Sequence, residues 1–268
     1  RPIPGQKFTQ GSLIYTDAQT FLDKGPSACE YQVLFQPTER TANEYYTTTK
    51  NYFILSILDN VKSKVEFYKL GGEKLVRVGG EMEAQIRDVS IAPVDSQEDD
   101  RFWLTTSSFL QPSTLWLADA TLVEKGNGKA SSARDDETTD VYVTDKLKSL
   151  PDQYDSAGLS VFQGSATSKD GTAIPYFLVR KNDVKLDGKN PTLLYGYGGF
   201  EVSLGPHYVA TPGLAWLEKG GVYVEANIRG GGEMGPSWHQ VRVLSTYQSL
   251  ESRIRKLNET LLPCSCYP

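Results

Sequence analysis

Short apolar runs separated by turn-forming residues fill the first half of the chain, from residue 11 to about residue 145. The clearest runs are rich in β-branched and aromatic residues and cover residues 13–15, 31–35, 52–58, 65–70, 89–91, 102–105 and 115–117. Asp, Asn, Gly, Ser and Pro bound them, which is typical of short β-strands joined by tight turns. The pattern therefore predicts that the first half is built from β-sheet.

Two stretches of this first half resemble each other at a constant offset of 49 residues. Residues 51–55 (NYFIL) and 64–67 (KVEF) align with residues 100–104 (DRFWL) and 113–116 (STLW). A repeat of roughly 40–50 residues fits the four-stranded blade of a β-propeller. The spacing favours a propeller and leaves a β-sandwich open, and the first half has room for about three blades.

The second half has a different pattern. Residues 160–168 and 172–180 predict two strands around the turn Lys169-Asp-Gly171. Residues 192–195 and 222–228 are apolar runs that end at glycines, and they predict strands buried on both faces. Between them, residues 213–219 have helical spacing and are followed by Gly220 and Gly221. Strand, helix and strand predict a βαβ unit, with a site at the carboxyl ends of the parallel strands.

Composition narrows the class of protein. The chain has 268 residues, 39% of them hydrophobic and 23% charged, with a net charge of −5. This is an ordinary globular composition, and the mild, dispersed charge argues against a nucleic-acid partner. No apolar run approaches the ~20 residues that cross a bilayer, and no secretory leader opens the sequence. Three cysteines are too few for a disulfide framework, so we expect a cytoplasmic protein.

Two long motifs carry a resemblance to a known family. Residues 193–200 read LLYGYGGF, residues 227–235 read NIRGGGEMG, and Trp238-His239 follows. In this order and separation they resemble the prolyl oligopeptidase family of serine peptidases. Met234 stands where that family usually has tyrosine, and it is the one departure inside the motifs.

The resemblance implies the architecture and two site residues. In that family a β-propeller is joined to an α/β-hydrolase domain, so we expect a partial propeller over residues 1–151 and the N-terminal portion of a hydrolase domain over 152–240. The matching positions make Tyr197 the oxyanion donor and Phe200 part of the pocket for the substrate's proline. The polar segment 126–140 is expected to be a solvated loop. Residues 241–268 do not match the family and are expected to be a foreign tail, from a frameshift or an aberrant exon.

The remaining catalytic groups are not evident. A serine hydrolase of this kind needs a nucleophile in a G-x-S-x-G elbow, and the chain contains no such sequence. Ser237 and His239 lie two residues apart, but Ser237 is better explained as a helix cap. The other histidine is His207, and the family keeps its serine, acid and histidine beyond the second motif. The chain alone is therefore expected to be inactive.

Other interpretations of the sequence remain open. Residues 230–235 match G-x-G-x-x-G, but Glu233 would place a carboxylate beside a bound pyrophosphate, so a tight turn in which backbone crosses backbone is favoured over a dinucleotide site. The resemblance implies a monomeric endopeptidase that cleaves short peptides after proline, without metal or organic cofactor. The alternatives are a non-enzymatic β-propeller interaction module or pseudoenzyme, or another hydrolase of the superfamily, such as an acylaminoacyl peptidase or an esterase.

Overall fold

The computed structural model describes residues 8–72, 74–79, 83–125, 140–236 and 238–239. The expected solvated loop, apart from its last residue, lies outside this described part, as do Ser237 and the tail 241–268. The described chain is mostly β-sheet, as expected, with short helices only.

A small two-stranded sheet opens the described part. Strand β1 (Leu13–Tyr15) pairs antiparallel with β2 (Gln32–Phe35), and helix α1 (Ala18–Lys24) and a 3-10 turn (Pro26–Ala28) connect them. Helix α1 begins at Asp17, whose side chain accepts a hydrogen bond of 2.7 Å from the Thr20 N–H. Both predicted strands of this region are confirmed.

Two four-stranded antiparallel sheets follow, each with its strands side by side in chain order. The first sheet contains β3 (Thr41–Thr48), β4 (Tyr52–Asp59), β5 (Lys62–Lys69) and β6 (Val76–Val78). The second contains β7 (Asp88–Pro93), β8 (Arg101–Ser107), β9 (Thr114–Asp119) and β10 (Val143–Ser149), with helix α2 (Leu122–Lys125) after β9. Sequential order within each sheet is the arrangement expected of propeller blades.

The predicted repeat corresponds to equivalent strands of these two sheets. The aligned segments form β4 and β8, the second strand of each sheet, and β5 and β9, the third strand. The sequence pattern did not predict β3, β6 or β10. Strand β10 reads VTDKLKS and is exposed along most of its length, so it carries no apolar alternation.

The core of the first half lies between the two sheets. Phe67, Phe102 and Tyr142 are each at most 1% exposed, and their ring centroids lie 5.1–6.0 Å apart. The Tyr45 hydroxyl of β3 donates to the Val89 carbonyl of β7 at 3.0 Å, which joins the first strands of the two sheets. The two sheets therefore pack face to face as neighbours.

The second half forms one mixed sheet, with the strand order β11-β12-β14-β13. Strands β11 (Leu159–Thr167) and β12 (Ala173–Lys181) make the predicted hairpin, in which the Gly171 N–H donates to the Ser168 carbonyl at 2.9 Å. Strands β13 (Thr192–Gly196) and β14 (Val222–Ala226) run parallel. Helix α3 (Ala210–Pro212) and a π-helical turn (Gly213–Leu217) connect them. The predicted βαβ unit is confirmed, with a helix that begins earlier and ends earlier than expected.

One prediction for this sheet is wrong. Strand β14 is buried along its whole length, but β13 is not buried on both faces. Leu193 and Tyr195 are 42% and 46% exposed. Within the described part of the chain β13 is one of the two edge strands of the sheet, and no described element covers these two side chains.

A strained hairpin tip joins the two halves. Val61, between β4 and β5, has φ +69° and is completely buried, against Phe177, Val179 and Tyr223 of the mixed sheet among others. A positive φ is unusual for a β-branched residue and is held here by surrounding contacts. The Gln163 side chain donates to the Asn60 carbonyl at 2.5 Å.

Strand β10 ends at Ser149 and β11 begins at Leu159. The expected domain division near residue 151 stays a prediction.

Candidate active site

Two turns meet at one edge of the mixed sheet. Because β13 and β14 are parallel neighbours, their carboxyl ends lie side by side. The turn after β13 contains residues 197–204, which we call the aromatic turn. The turn after β14 contains residues 227–235, which we call the glycine turn. Both predicted site residues, Tyr197 and Phe200, lie on the aromatic turn.

The aromatic turn presents an exposed aromatic ring from a strained backbone. Phe200 and Glu201 have φ +55° and +59°, and the Val202 N–H donates to the Gly199 carbonyl at 3.1 Å. These values define a tight turn of a kind that favours Gly, Asn or Asp. The Phe200 side chain is nevertheless 89% exposed, and Tyr197 is 38% exposed. Because both side chains are exposed, packing in the core does not explain why these two aromatic residues occur in the turn.

Backbone approaches backbone where the two turns meet. A Cβ atom on Gly232 would lie 2.4 Å from the Glu201 carbonyl oxygen and 2.8 Å from the Ser203 hydroxyl. Any side chain at position 232 would therefore displace the aromatic turn. This is the close approach that the sequence analysis favoured over a dinucleotide-binding loop.

Two buried polar side chains of the glycine turn hold a single residue of the aromatic turn. The Glu233 carboxylate accepts a hydrogen bond of 3.0 Å from the Leu204 N–H, and the Asn227 amide donates at 2.7 Å to the Leu204 carbonyl. Both side chains are completely buried. Burial raises the pKa of Glu233, and the hydrogen bond from the Leu204 N–H opposes the rise.

A buried arginine ties the glycine turn to the β11–β12 hairpin. Arg229 is 5% exposed and donates to the Asp170 carboxylate at 2.5 Å, to the Thr172 hydroxyl at 3.1 Å and to the Ser168 hydroxyl at 3.2 Å. The hydrogen bond from Arg229 holds the pKa of Asp170 well below its usual range. The hairpin motif Ser168-Lys-Asp-Gly-Thr172 thus supplies the counter-charge that lets the guanidinium be buried.

A second buried carboxylate lies on β14, two residues before the glycine turn. Glu225 is completely buried, accepts from the Tyr223 hydroxyl at 2.8 Å and lies 3.8 Å from Nδ1 of His207. Burial raises the pKa of Glu225, and the nearby His207 and the hydrogen bond from Tyr223 oppose this effect. Burial also raises the pKa of Asp88, on the neighbouring β7. His207 is thus a neighbour of both carboxyl groups.

The two histidines are bound to backbone. Nδ1 of His239 lies 2.9 Å from the Gly230 carbonyl oxygen, and Nδ1 of His207 lies 3.1 Å from the Gly205 carbonyl oxygen. Ser237 lies outside the described residues, so its expected role as a helix cap stays a prediction. The contact of His239 with Gly230 stabilises the glycine turn.

A cavity separates the glycine turn from the first four-stranded sheet. Its volume is about 390 Å³, and its lining residues include Asn43 and Glu44 of β3, Glu201 and Ser203 of the aromatic turn, and Gly232 and Gly235 of the glycine turn. Desolvation raises the pKa of Glu44, which accepts a hydrogen bond of 2.8 Å from Ser56. Tyr197 and Phe200 do not line this cavity.

The two turns were predictable from their motifs, but the residues that connect them were not. Asn227, Arg229 and Glu233 were noted only as motif letters, because their partners Leu204 and Asp170 are distant in sequence. The sequence did contain a signal for them. Three polar or charged side chains follow directly after β14, a strand with no exposed position, and polar groups at the end of a buried strand are candidates for a site. Across the described ranges, no helix is long and apolar enough to cross a bilayer and no cluster of three or more His, Cys, Asp or Glu could hold a metal ion.

Comparison with known proteins gives this geometry a context. No protein-family model matches the chain. It is 38% identical over 262 residues to an uncharacterized peptidase of Sinorhizobium fredii, a match that covers 96% of this chain and 32% of the relative. It is 48% identical over 101 residues to the prolyl endopeptidase of Elizabethkingia miricola, covering 38% of this chain and 14% of that enzyme. The chain therefore spans about a third of the length of the first of these relatives.

A solved structure agrees with these relatives. A post-proline cleaving enzyme from Rickettsia typhi superposes with a TM-score of 0.73 at 30% identity, over 97% of this chain and 35% of that enzyme. The proteins that this chain resembles are peptidases. The homologues and structural neighbours are peptidases of the prolyl oligopeptidase family, and this chain matches a part of that family's length.

Proposed function

We propose that the protein to which this chain belongs is a serine-type endopeptidase that hydrolyses short peptides after proline. In this proposal the chain supplies the oxyanion donor, Tyr197, and an aromatic wall of the proline pocket, Phe200. The observation that carries it is the aromatic turn itself, where Phe200 is 89% exposed and has φ +55°. Residues held in strained backbone conformations cluster at active sites and ligand-binding turns, and here the strained residue carries an exposed aromatic ring.

The proposed role of Tyr197 follows from its position. Its hydroxyl belongs to a side chain that is 38% exposed, just past the carboxyl end of a parallel strand, where substrates of such sheets bind. When a nucleophile adds to a peptide carbonyl, negative charge develops on the carbonyl oxygen. A phenol hydroxyl that donates to this oxygen stabilises the transition state more than the bound substrate.

Phe200 is suited to proline for a different reason. The pyrrolidine ring is apolar and rigid, so it packs on an aromatic face with little loss of conformational freedom. Discrimination by an apolar pocket wall of this kind is worth about 1–3 kcal/mol. The acidic cavity beside the turn leaves space for further parts of a peptide.

The chain alone is proposed not to hydrolyse peptides. Its sequence has no G-x-S-x-G elbow, and its two histidines, His207 and His239, lie against backbone carbonyls. The resemblance assigns nucleophile, acid and base to sequence beyond the second motif. The proposal includes a cytosolic location and a monomeric parent, and the buried Cys29, whose thiol lies 3.4 Å from the Gly25 carbonyl oxygen, fits a reducing setting.

Peptide binding by the purified chain tests the proposal. Proline-containing and matched alanine-containing tetrapeptides would be titrated while backbone and side-chain NMR signals are followed. We expect the proline peptide alone to shift the signals of Tyr197 and Phe200, with weak affinity, and Phe200→Ala to abolish the shifts. Equal response to both peptides, or shifts confined to the propeller-like sheets, would favour the interaction module instead.

Reaction with a fluorogenic peptide and with a serine-directed phosphonate tests the second part. The expected result is no turnover and no labelling of the chain. Stoichiometric labelling would contradict it and would direct attention to Ser237. An ester substrate in the same assay separates a peptidase from an esterase of the same superfamily.

A further inference from the structure

We infer that Asn227 and Glu233 act as positioning residues, which clamp the backbone of Leu204 at both its N–H and its C=O and thereby fix the aromatic turn that carries Tyr197 and Phe200. The inference rests on the proposed function only for what the turn does with a peptide. The clamp itself is a matter of geometry.

The clamp engages both polar backbone groups of one residue. The Leu204 N–H is bound by the Glu233 carboxylate at 3.0 Å, and the Leu204 carbonyl by the Asn227 amide at 2.7 Å. One backbone residue with both groups fixed by rigid, buried side chains has little freedom to shift. Hydrogen bonds to a charged acceptor are stronger than those between neutral groups.

The glycine turn is shaped around the clamp. A Cβ atom on Gly231 would lie 2.1 Å from Oε2 of Glu233, so a residue with any side chain at position 231 would expel the carboxylate. Gly232 in turn leaves room for the Glu201 carbonyl. The absence of side chains at Gly231 and Gly232 thus leaves space for the Glu233 carboxylate on one side and for the aromatic turn on the other. The sequence Gly-Gly-Gly-Glu therefore forms the surface on which the aromatic turn packs.

The energetic balance indicates that the clamp is retained for a purpose other than stability. Oε2 of Glu233 and Oδ1 of Asn227 are buried without a hydrogen-bond partner among the described residues. The nearby Glu225 carboxylate adds repulsion to the cost of burying Glu233. Buried polar atoms left unsatisfied destabilise a fold, whereas the turn they hold is itself strained at Phe200 and Glu201. The unsatisfied polar atoms and the strained backbone both destabilise the fold, and both occur at the candidate site.

Amide hydrogen exchange measures the clamp without any peptide. Asn227→Asp keeps the shape but replaces the donor by a repelling carboxylate, and Glu233→Gln keeps an acceptor oxygen. We expect Asn227→Asp to accelerate exchange across residues 199–206 by about 10- to 100-fold. Glu233→Gln should retain most of the protection, and so should Glu225→Gln, a control in which a buried carboxylate without contact to Leu204 is changed. Unchanged exchange in Asn227→Asp would overturn the inference.

Two further measurements cover the remaining outcomes. If Asn227→Asp does not fold, the unsubstituted chain still decides, because an NMR coupling across the hydrogen bond from the Leu204 nitrogen to the Glu233 side-chain carbon is expected, and its absence would overturn the clamp. In the folded variant, weaker binding of the proline peptide at unchanged melting temperature identifies positioning rather than general stability. If exchange accelerates but no variant or parent chain binds the peptide, the clamp stands and the proposed function fails.

Discussion

The two antiparallel sheets and the mixed sheet bury different kinds of side chain. Between the antiparallel sheets the core is mainly aromatic and aliphatic, with Phe67, Phe102 and Tyr142 in mutual contact. At the end of β14, the stretch from residue 225 to residue 233 buries Glu225, Asn227, Arg229 and Glu233, none more than 5% exposed. Burial of apolar side chains stabilises the first region. In the second region, burial of polar and charged side chains lowers the stability of the fold.

This difference indicates where the constraint on each region comes from. Apolar packing of repeated strands requires only suitable volume and pattern. Buried charges must each be matched by a particular partner, and such groups are common where a fold must hold a site in one shape. The mixed sheet is therefore the region in which substitutions should separate effects on stability from effects on binding.

The largest expected effect lies in the antiparallel sheets. Phe67→Ala removes a completely buried ring that contacts Phe102 and Tyr142. Loss of apolar contact and the cavity left behind should reduce the free energy of unfolding by about 3–5 kcal/mol. Urea unfolding measures this, with Phe162→Ala, at an exposed position, as the control. A loss below 1 kcal/mol would mean that the two sheets do not share a core.

A smaller loss is expected at the buried arginine. Arg229→Met fills similar volume but leaves the Ser168 and Thr172 hydroxyls without their donor, so the free energy of unfolding should fall by about 1–3 kcal/mol. Asp170→Asn should be milder, because Asp170 is half exposed and asparagine still offers an acceptor oxygen. The two variants are compared by urea unfolding. A greater loss in Asp170→Asn would contradict this order.

Glu225→Gln should raise stability at neutral pH. Because the pKa of Glu225 is raised in the folded chain, the folded state keeps this proton at pH values where the unfolded chain has lost it. The contribution of Glu225 to stability is thus greatest below the usual carboxyl pKa and declines as pH rises through the raised pKa. Glutamine cannot ionise and escapes this decline.

Melting temperatures between pH 4 and pH 8 measure the effect of this variant. The variant should melt above the parent chain at high pH, and the gap should close as pH falls. Glu66→Gln is the matched control in the first sheet, where Lys64 and Arg77 lie 3.1 and 3.2 Å from the carboxylate and should make its loss destabilising. A pH-independent gap for Glu225→Gln would exclude ionisation as its cause.

The smallest effect on stability is expected at Phe200. Its ring is almost fully exposed, so Phe200→Ala should change the free energy of unfolding by less than about 0.5 kcal/mol. Phe200→Gly should be neutral or slightly stabilising, since glycine adopts φ +55° without strain. Both variants should lose the proline-peptide response. A Phe200→Ala variant that unfolds readily would identify this residue as part of the core.

Much of the fold was predictable from the pattern, and the site was predictable in part. Strands such as β4 and β8 were evident because their apolar runs are bounded by turn residues. Strand β3, with the sequence TANEYYTT, was missed because it carries little apolar alternation. The exposed face of β13 was mispredicted, since a strand's own sequence does not reveal which neighbours cover it. The pairing of Leu204 with Asn227 and Glu233 depends on turns that meet only in three dimensions.

Catalysis by Tyr197 tests the central claim most directly. Residues 1–239 would be joined to the catalytic C-terminal segment of a prolyl endopeptidase, and the chimera compared with its Tyr197→Phe variant at equal melting temperature. If Tyr197 donates to the oxyanion, its removal should lower kcat on a proline peptide by roughly 10–10³-fold and leave KM almost unchanged. Full kcat in the Tyr197→Phe chimera would contradict the account and leave the aromatic turn as a binding surface alone.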